Sequence, residues 1–476
     1  MMATRPISYA VLRGQVIESD LIEFGGRGGD ISFLAPDPQK IASRIPLASP
    51  RLMEDLYDLS FEDILDYLAE LGARLDVNGN DYLREAREHS YATAPTTKPI
   101  MDHFFHDMPF MFDKERIRGM VDFNIGVDYL ERWVEQEING SKVGIRAYGA
   151  RTLHIVAGNG PVLGALTVLR GAVTRGDTII KVPSNDPFTT GAIARTMVDM
   201  APDHPITKHL AVAYWRGGDE ALESQIYQPH NIEKICAWGG FASVKHVTKY
   251  IQPGIELISL DPKRSASIIG PEALEDDEAI EETARRLACD FSVGNQTACA
   301  SARMVYVMCG TEDEDIEKLK TLGQKAYDAM FDLPEVLTTK PKRYDPDLKS
   351  SVDSLRFSED FYTVIGGEAG DGAVIVSHTS NRVDTLEEVL DVVDAYTQTV
   401  GIWPESLREV VRHKGALHGG QRFVQLGYVF NGPGLVGPQD GIEPMRRIVK
   451  WIISEEPSEG RKGFWEADKA DIKVVA

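Results

Sequence analysis

Only four cysteines occur in the chain, Cys236, Cys289, Cys299 and Cys309, and no two of them have the CxxC spacing of a zinc or redox motif. This excludes a disulfide framework and a cysteine-lined metal cage, and points to a reducing compartment. Net positive charge is lacking too: 51 Lys and Arg stand against 73 Asp and Glu, a formal net charge of −22. Nucleic acid and anionic membrane both require a basic surface, so neither is expected as the main partner. An anionic cofactor would need a locally basic or dipole-lined pocket. No uninterrupted apolar run reaches the roughly 18 residues of a membrane span. The opening Met1–Ala10 shows no apolar leader segment. These absences together predict a cytoplasmic protein with no membrane span. No internal repeat is visible, and low complexity is confined to short glycine clusters.

What is present is an ordinary soluble composition, 43% hydrophobic and 26% charged. The length of 476 residues allows two or three folding units of roughly 100–200 residues. Ile7–Leu12 and Val16–Phe24 alternate around Arg13-Gly14-Gln15 as a hairpin. Gly25-Gly26-Arg27-Gly28-Gly29 has no helical pattern behind it and reads as a loop rather than a phosphate cradle. Ser60 with Asp63 caps a helix over Phe61–Leu75, and a second helix follows over Asp81–Tyr91. The Pro-rich Ala94–Pro99 is a first boundary. Met101–Phe112, rich in methionine and aromatics, is read as core packing, with the lining of an apolar-tail channel as the alternative. His103 and His106 have the spacing of a metal pair, but no third ligand is evident, so no metal is expected.

From Thr152 the pattern turns βαβ. Strand Thr152–Ala157, the turn Gly158-Asn159-Gly160-Pro161, helix Val162–Val173 and strand Thr178–Val182 make one such unit. Strand Ile232–Ala237 runs into Trp238-Gly239-Gly240 and a helix over Ser243–Tyr250, a natural phosphate seat or a plain close-packed turn. Strands are expected at Ile255–Leu260 and Ala266–Ile269, a helix at Asp277–Cys289 and a strand at Met304–Met308. Further on, a helix is expected at Glu312–Phe331, a basic surface loop at Thr339–Arg343, and strands near Phe361–Ile365 and Gly372–Ser377. A helix over Thr385–Thr397, a strand at Phe423–Tyr428 and a final helix over Glu443–Ile453 complete the reading.

One stretch organises the rest. Gly294-Asn295-Gln296-Thr297-Ala298-Cys299-Ala300-Ser301-Ala302-Arg303 surrounds a single cysteine with small residues, between a helix and a strand. Backbone N–H groups at such a turn lower a thiolate's pKa and can hold an oxyanion. By these residues alone, Cys299 reads equally as a nucleophile or as a small residue in a tight turn. The other three cysteines fall in or beside predicted elements and read as structural.

Four stretches then fall in order: Asn159-Gly160-Pro161 after a strand, Lys181-Val182-Pro183-Ser184 ending the next, Gly239-Gly240 before a helix, and Asn295–Cys299 followed by Arg303. From Lys114 to Lys462 the chain resembles the aldehyde dehydrogenase superfamily. Within it, the chain resembles the acyl-CoA (fatty-acid) reductase family of bacterial luminescence. The closing Gln439-Asp440-Gly441-Ile442 with Arg446, Val449 and Trp451 is similar to that family's C-terminal pattern.

The resemblance implies an α/β fold of two doubly wound Rossmann-type domains with an oligomerisation element. It divides the chain into an N-terminal α+β region of unassigned role (1–110), a nicotinamide-cofactor domain (111–270), a catalytic domain (271–440) and a C-terminal helix and tail (441–476). It makes Cys299 the nucleophile and Asn159 the oxyanion donor. Gly158, Lys181, Pro183, Ser184, Asn185, Gly239 and Gly240 become cofactor residues, with Lys181 on the adenosine ribose. Oxidising members place an acidic residue three positions after that lysine; Ser184 stands here, with Asn185 beside it, so NADPH is expected. Water-using members also read Glu-Leu-Gly-Gly-Lys where this chain has Ser259-Leu260-Asp261-Pro262-Lys263, leaving Glu256 as the alternative base. The implied activity is reduction of a long-chain acyl-CoA or other acyl thioester to the aldehyde through an acyl-cysteine. Alternatives are an aldehyde dehydrogenase that uses Glu256, and an acyl acceptor without nicotinamide turnover. A homo-oligomer and acyl-protein synthetase or acyl-transferase partners belong to the same implication.

Overall fold

The computed structural model describes residues 5–25, 31–260, 262–309, 312–339, 362–365, 374–377, 386–391, 393–431, 436–458 and 463–466. Two mainly parallel sheets carry the fold. In the first, the spatial order is Glu256–Leu260, Lys234–Trp238, Arg151–Ile155, Asp177–Lys181, Leu210–Ala213, Ala10–Leu12 and Gln15–Ile17. The strands from Glu256–Leu260 to Leu210–Ala213 are parallel and, counted along the chain, stand in the order 5-4-1-2-3. The order therefore reverses between Arg151–Ile155 and Lys234–Trp238. A crevice opens beyond the strand ends at such a point.

In the second sheet the order is Tyr362–Ile365, Val374–Ser377, Ala302–Val307, Arg264–Ile269, Thr397–Trp403 and Arg422–Gln425. All of its pairs are parallel except the first. Leaving out Tyr362–Ile365, its winding repeats that of the first sheet. The central strands of both sheets follow from short, mostly apolar runs bounded by turns and buried on both faces. Arg151–Ile155 is buried throughout, and Asp177–Lys181 nearly so. The helix Val162–Val173 is apolar on nearly every side because it is covered on nearly every side.

The N-terminal segment is built into the first sheet. Ala10–Leu12 pairs antiparallel with Leu210–Ala213, and Arg13 forks onto the buried Asp177. Ser60 caps Phe61–Arg74 with a reciprocal bond to Asp63, an arrangement worth about 1 kcal/mol. That helix buries Phe61, Ile64, Leu65, Leu68 and Leu71 in one core with Leu166, Leu169 and Ile193. Met101, Phe105, Met108 and Phe112 lie in the same core, so the methionine and aromatic cluster packs. Of its apolar residues only Phe110 is exposed.

Several expected elements take another form. The second arm of the opening hairpin splits at Asp20 (φ 55°), and Leu21–Gly25 pairs instead with Ser32–Pro36. The expected helix over Thr385–Thr397 ends at Asp391, and Thr397–Trp403 is a strand between two others of the second sheet. Its β-branched Thr397, Thr399, Val400 and Ile402 prefer the pleated, buried surface. A helix over Glu405–His418 follows, closed by Gly419 at φ 116°. The final helix stops at Ile448, and Lys450–Glu455 forms a three-stranded antiparallel sheet with Ser141–Tyr148 and Val134–Ile138. The helical spacing of Met445 and Ile448 is real, but pairing with Ser141–Tyr148 overrides it beyond Val449. The glycine loop beyond Gly25 and the basic run beyond Thr339 lie outside the described residues.

Candidate active site

The C-terminal edge of the first sheet meets the N-terminal edge of the second. Asn159, four residues past the strand Arg151–Ile155, donates from Nδ2 to the Thr297 main-chain oxygen at 3.3 Å. Thr297 belongs to the Cys299 loop, so the two sheets bring the asparagine and the cysteine loop together.

Residues Gly294, Asn295 and Gln296 all take positive φ, at 67°, 55° and 56°. Glycine accepts this freely and asparagine at modest cost. Asn295 offsets that cost by clasping Thr339: its Nδ2 donates to Thr339 O at 2.7 Å, and Thr339 N donates back at 3.3 Å. The Arg303 guanidinium donates to Gln296 O and closes the loop from its other end. Ser265 Oγ donates to Cys299 O at 2.7 Å and accepts from Thr399 N at 3.2 Å, tying the cysteine's main chain to two strands.

Cys299 is exposed, although protein crowds it on its other sides. That crowding desolvates the thiol and pushes its pKa above the ordinary value. Gln398 pulls the other way through a hydrogen bond, Asp440 adds to the rise by its charge, and the N–H groups of Cys299 and Ala300 lower it. The expectation that turn N–H groups would leave a lowered pKa is thus not met; desolvation outweighs them. Gln398 Nε2 stands 3.2 Å from Cys299 Sγ and 2.5 Å from Asp440 Oδ1.

Gln398 has no signal in the sequence: the expected helix stops at Thr397, and no element is expected over the rest of this strand. Asp440 lay inside a noted C-terminal pattern but without a role. Ser265 and Thr399 are recognisable only once the strands are paired.

The residues around the first sheet's switch point form a second group. Lys181 lies half-buried at its strand end, Nζ 5.7 Å from the Trp215 ring centre. Burial pushes its pKa down to about 8, against the opposing pull of Glu223. Gly158 packs so closely on Pro183 and Asn185 that a Cβ there would fall 1.8 Å from Asn185 Oδ1. Ser184 is half-buried beside them. Gly240 is the N-cap of the helix Phe241–Thr248, which has no side-chain cap. A Cβ on Gly240 would meet nothing within 4 Å. Open N–H groups, clear space and a lysine at the same edge of the sheet fit a dinucleotide's pyrophosphate and ribose.

Glu256 is elsewhere. It begins the strand Glu256–Leu260, in register with Lys234 and Thr152, at the edge opposite the one that leads to Gly240 and Asn159. Lys234 Nζ donates to it at 2.6 Å and Arg447 Nε at 2.7 Å. Desolvation would raise its pKa, but these hydrogen bonds prevail and hold the carboxyl below its usual range. His103 lies 3.4 Å from Asp107, and no group of three or more His, Cys, Asp or Glu able to hold a metal occurs among the described residues. Among the same residues no helix is long and apolar enough to cross a membrane.

Comparisons with known proteins bear on the family and the fold. The family model described as acyl-CoA reductase (LuxC) matches residues 56–342. A long-chain acyl-protein thioester reductase of Photorhabdus laumondii subsp. laumondii is 31% identical over 348 residues, which cover 69% of this chain and 68% of that protein. Its counterpart in Vibrio harveyi is 26% identical, with 94% and 93% covered. Among solved structures, aldehyde dehydrogenase 21 of Physcomitrella patens superposes with a TM-score of 0.70 at 12% identity, covering 96% of this chain and all of that one. The NADP-dependent glyceraldehyde-3-phosphate dehydrogenase of Bacillus halodurans, solved with NADP, gives 0.69 at 12% identity, with 94% and 99% covered. The fold is that of the aldehyde dehydrogenases, and the chain belongs to the acyl-CoA reductase (LuxC) family.

Proposed function

We propose that this chain reduces a long-chain fatty acyl thioester to the aldehyde with NADPH, through an acyl group carried on Cys299. The observation behind this reading is the placing of the Asn159 amide on the loop of an exposed cysteine. The sulfur attacks the thioester carbonyl carbon. Asn159 Nδ2 and the Cys299 N–H donate to the oxygen as it gains charge. The carbon–sulfur bond to the donor breaks, and the proton lost by Cys299 ends on the departing thiol. Glu256, held by Lys234 and Arg447 at the far edge, is not placed to activate water against the acyl-cysteine.

When bound, the nicotinamide supplies the hydride that turns the acyl carbon into an aldehyde carbon. Lys181 would hold the ribose, and Gly239 and Gly240 the pyrophosphate at the open helix start. Gly158, Pro183 and Asn185 would shape the wall between them. Ser184 brings no negative charge against a 2′-phosphate, which favours NADPH. Cys299 finally leaves the reduced carbon as thiolate and takes up one proton. The net reaction consumes acyl thioester, NADPH and a proton, and yields aldehyde, free thiol and NADP.

The relatives' names speak of acyl-protein thioesters and the family description of acyl-CoA. Their shared chemistry is the thioester, and we assign the substrate at that level. We place the cofactor unit at 111–270 and the catalytic unit at 271–440. Acyl-protein synthetase or acyl-transferase subunits would supply the acyl group. The three-stranded sheet leaves Ile138, Ile452 and Ile453 exposed, a surface suited to association with further copies of the chain.

Purified protein with a long-chain acyl-CoA and NADPH should lose NADPH absorbance in step with aldehyde formation, and Cys299→Ala should abolish both. Acyl labelling of Cys299 without NADPH loss would instead mark an acyl acceptor.

A further inference from the structure

We propose that Gln398 and Asp440 form a positioning pair for Cys299. Asp440 aims the Gln398 amide so that one of its N–H groups holds the sulfur whenever the sulfur carries charge. The proposal rests on Cys299 being the nucleophile. The amide's orientation is fixed by chemistry: an ionised carboxylate only accepts, so nitrogen and not oxygen must face Asp440. That nitrogen has two hydrogens, one for Asp440 Oδ1 at 2.5 Å and one for Cys299 Sγ at 3.2 Å.

Both partners stand on fixed ground. Gln398 lies on the strand Thr397–Trp403, between the buried Thr397 and Thr399. Asp440 sits at φ 53° in a turn closed by mutual bonds of Gln439 and Ile442, at 2.8 and 2.9 Å. A non-glycine residue at such a φ carries a conformational cost that the surrounding contacts must maintain. Arg170, on the helix Val162–Val173 that follows Asn159, extends the brace with a bond to Gln439 Oε1 at 3.2 Å.

The sulfur is charged twice in the cycle, before attack and when it leaves the reduced carbon. In between, as a thioester sulfur, it is a poor acceptor. An N–H donor is worth more to a charged acceptor than to a neutral one. Gln398 therefore favours thiolate formation and thiolate departure. Asp440 works in two opposed ways, because its charge disfavours the thiolate while its hydrogen bond aims the donor that favours it. Arg422, on the next strand, also interacts with the cysteine by its charge.

This opposition gives a readout that mere structural support would not. The rate of Cys299 alkylation by iodoacetamide, followed by peptide mass across pH in the full chain, reports the thiol's midpoint without substrate or cofactor. Gln398→Leu should move the midpoint up by about one pH unit, roughly tenfold less thiolate at neutral pH. Asp440→Ala should lower the midpoint clearly in the Gln398→Leu background, where only its charge counts. In the native background the fall should be smaller, because the aim is lost as well. Gln398→Met, of similar length, repeats the series should the leucine variant not fold. An unmoved midpoint without the glutamine, or an equal fall in both backgrounds, would overturn the pair. Shifts as expected in a chain that turns over no NADPH would leave the pair standing and remove the reductase reading.

Discussion

The side-chain nitrogen of Asn159 rests 3.3 Å from the main-chain oxygen of Thr297, while its own oxygen is buried without a hydrogen-bond partner among the described residues. One long bond and one unused acceptor leave the amide under-satisfied, so a better acceptor can take over its N–H. A developing oxyanion beside Cys299 is such an acceptor. Asn159→Ala should lower kcat by roughly 10²–10³ and change KM little, because the donor acts on the transition state. Steady-state kinetics would show this, and an equal rise in KM would assign Asn159 to substrate binding instead. The alkylation rate of Cys299 should stay within about twofold of native, since Asn159 has no bond to the sulfur.

Cofactor choice turns on charge at the end of the strand Asp177–Lys181. Lys181 is in register with Ala213 of the neighbouring strand. Ser184 and Arg216 each come three residues later along their own chain segments, at the same edge, and Arg216 is exposed. Neither brings a negative charge to the ribose of a bound dinucleotide. Ser184→Glu should weaken NADPH by about tenfold or more and leave NADH less affected. Tryptophan fluorescence titrations with both nucleotides measure this directly. Equal losses for the two would place the 2′-phosphate away from Ser184.

Glu256 offers a negative test of the hydrolytic alternative. Its carboxylate is spent on Lys234 and Arg447. Glu256→Gln should therefore leave slow hydrolysis of the acyl-cysteine unchanged and lower stability slightly. The sign follows from its lowered pKa: the contribution is present above the ordinary carboxylate range and is lost as pH falls through the folded value. The melting temperature of the variant should thus differ from native at pH 7 and converge with it only below the depressed folded value. A drop in free-acid release in Glu256→Gln would restore this residue as a base.

How much was legible in the sequence depended on what each segment packs against. Thr178–Val182 and Val162–Val173 are apolar because they are covered on all sides, and their bounds are close to those observed. Val134–Ile138 is exposed along nearly its whole length and has no such signature. Thr397–Trp403 was hidden for a different reason. The helix Leu386–Asp391 just before it has good helical spacing, and the β-branched residues that favour a strand begin only where the expected helix ends, at Thr397. Gln398 was lost with that strand, and with it the contact to Cys299. The small residues around Cys299 were visible at once. Their partners Ser265, Thr399 and Asp440 come from segments far apart in the chain, and only strand pairing makes them neighbours.

Asp290 carries the clearest pH dependence of stability. It is buried on the helix Asp277–Ser292, and desolvation raises its pKa from 3.8 to about 7. Main-chain N–H groups of Gly427 and Val429 pull the other way, as do the charges of Arg422 and Arg286, but burial prevails. Its Oδ2 has no hydrogen-bond partner among the described residues and faces Gly401, where a Cβ would come within 2.5 Å. Between about pH 4 and pH 7 the folded chain keeps a proton here that the unfolded chain has released. Stability must therefore fall as pH rises through that window. Asp290→Asn removes the ionisation while keeping an acceptor for Val429 N. The variant should exceed the native chain in stability at pH 8, by at most about 4 kcal/mol for a shift of roughly three units, and converge with it near pH 4. Urea unfolding at pH 4.5, 6 and 8 would measure the gap. A gap that stays constant with pH would mean that Asp290 is ionised in the folded chain at all three values, its charge held by Arg422.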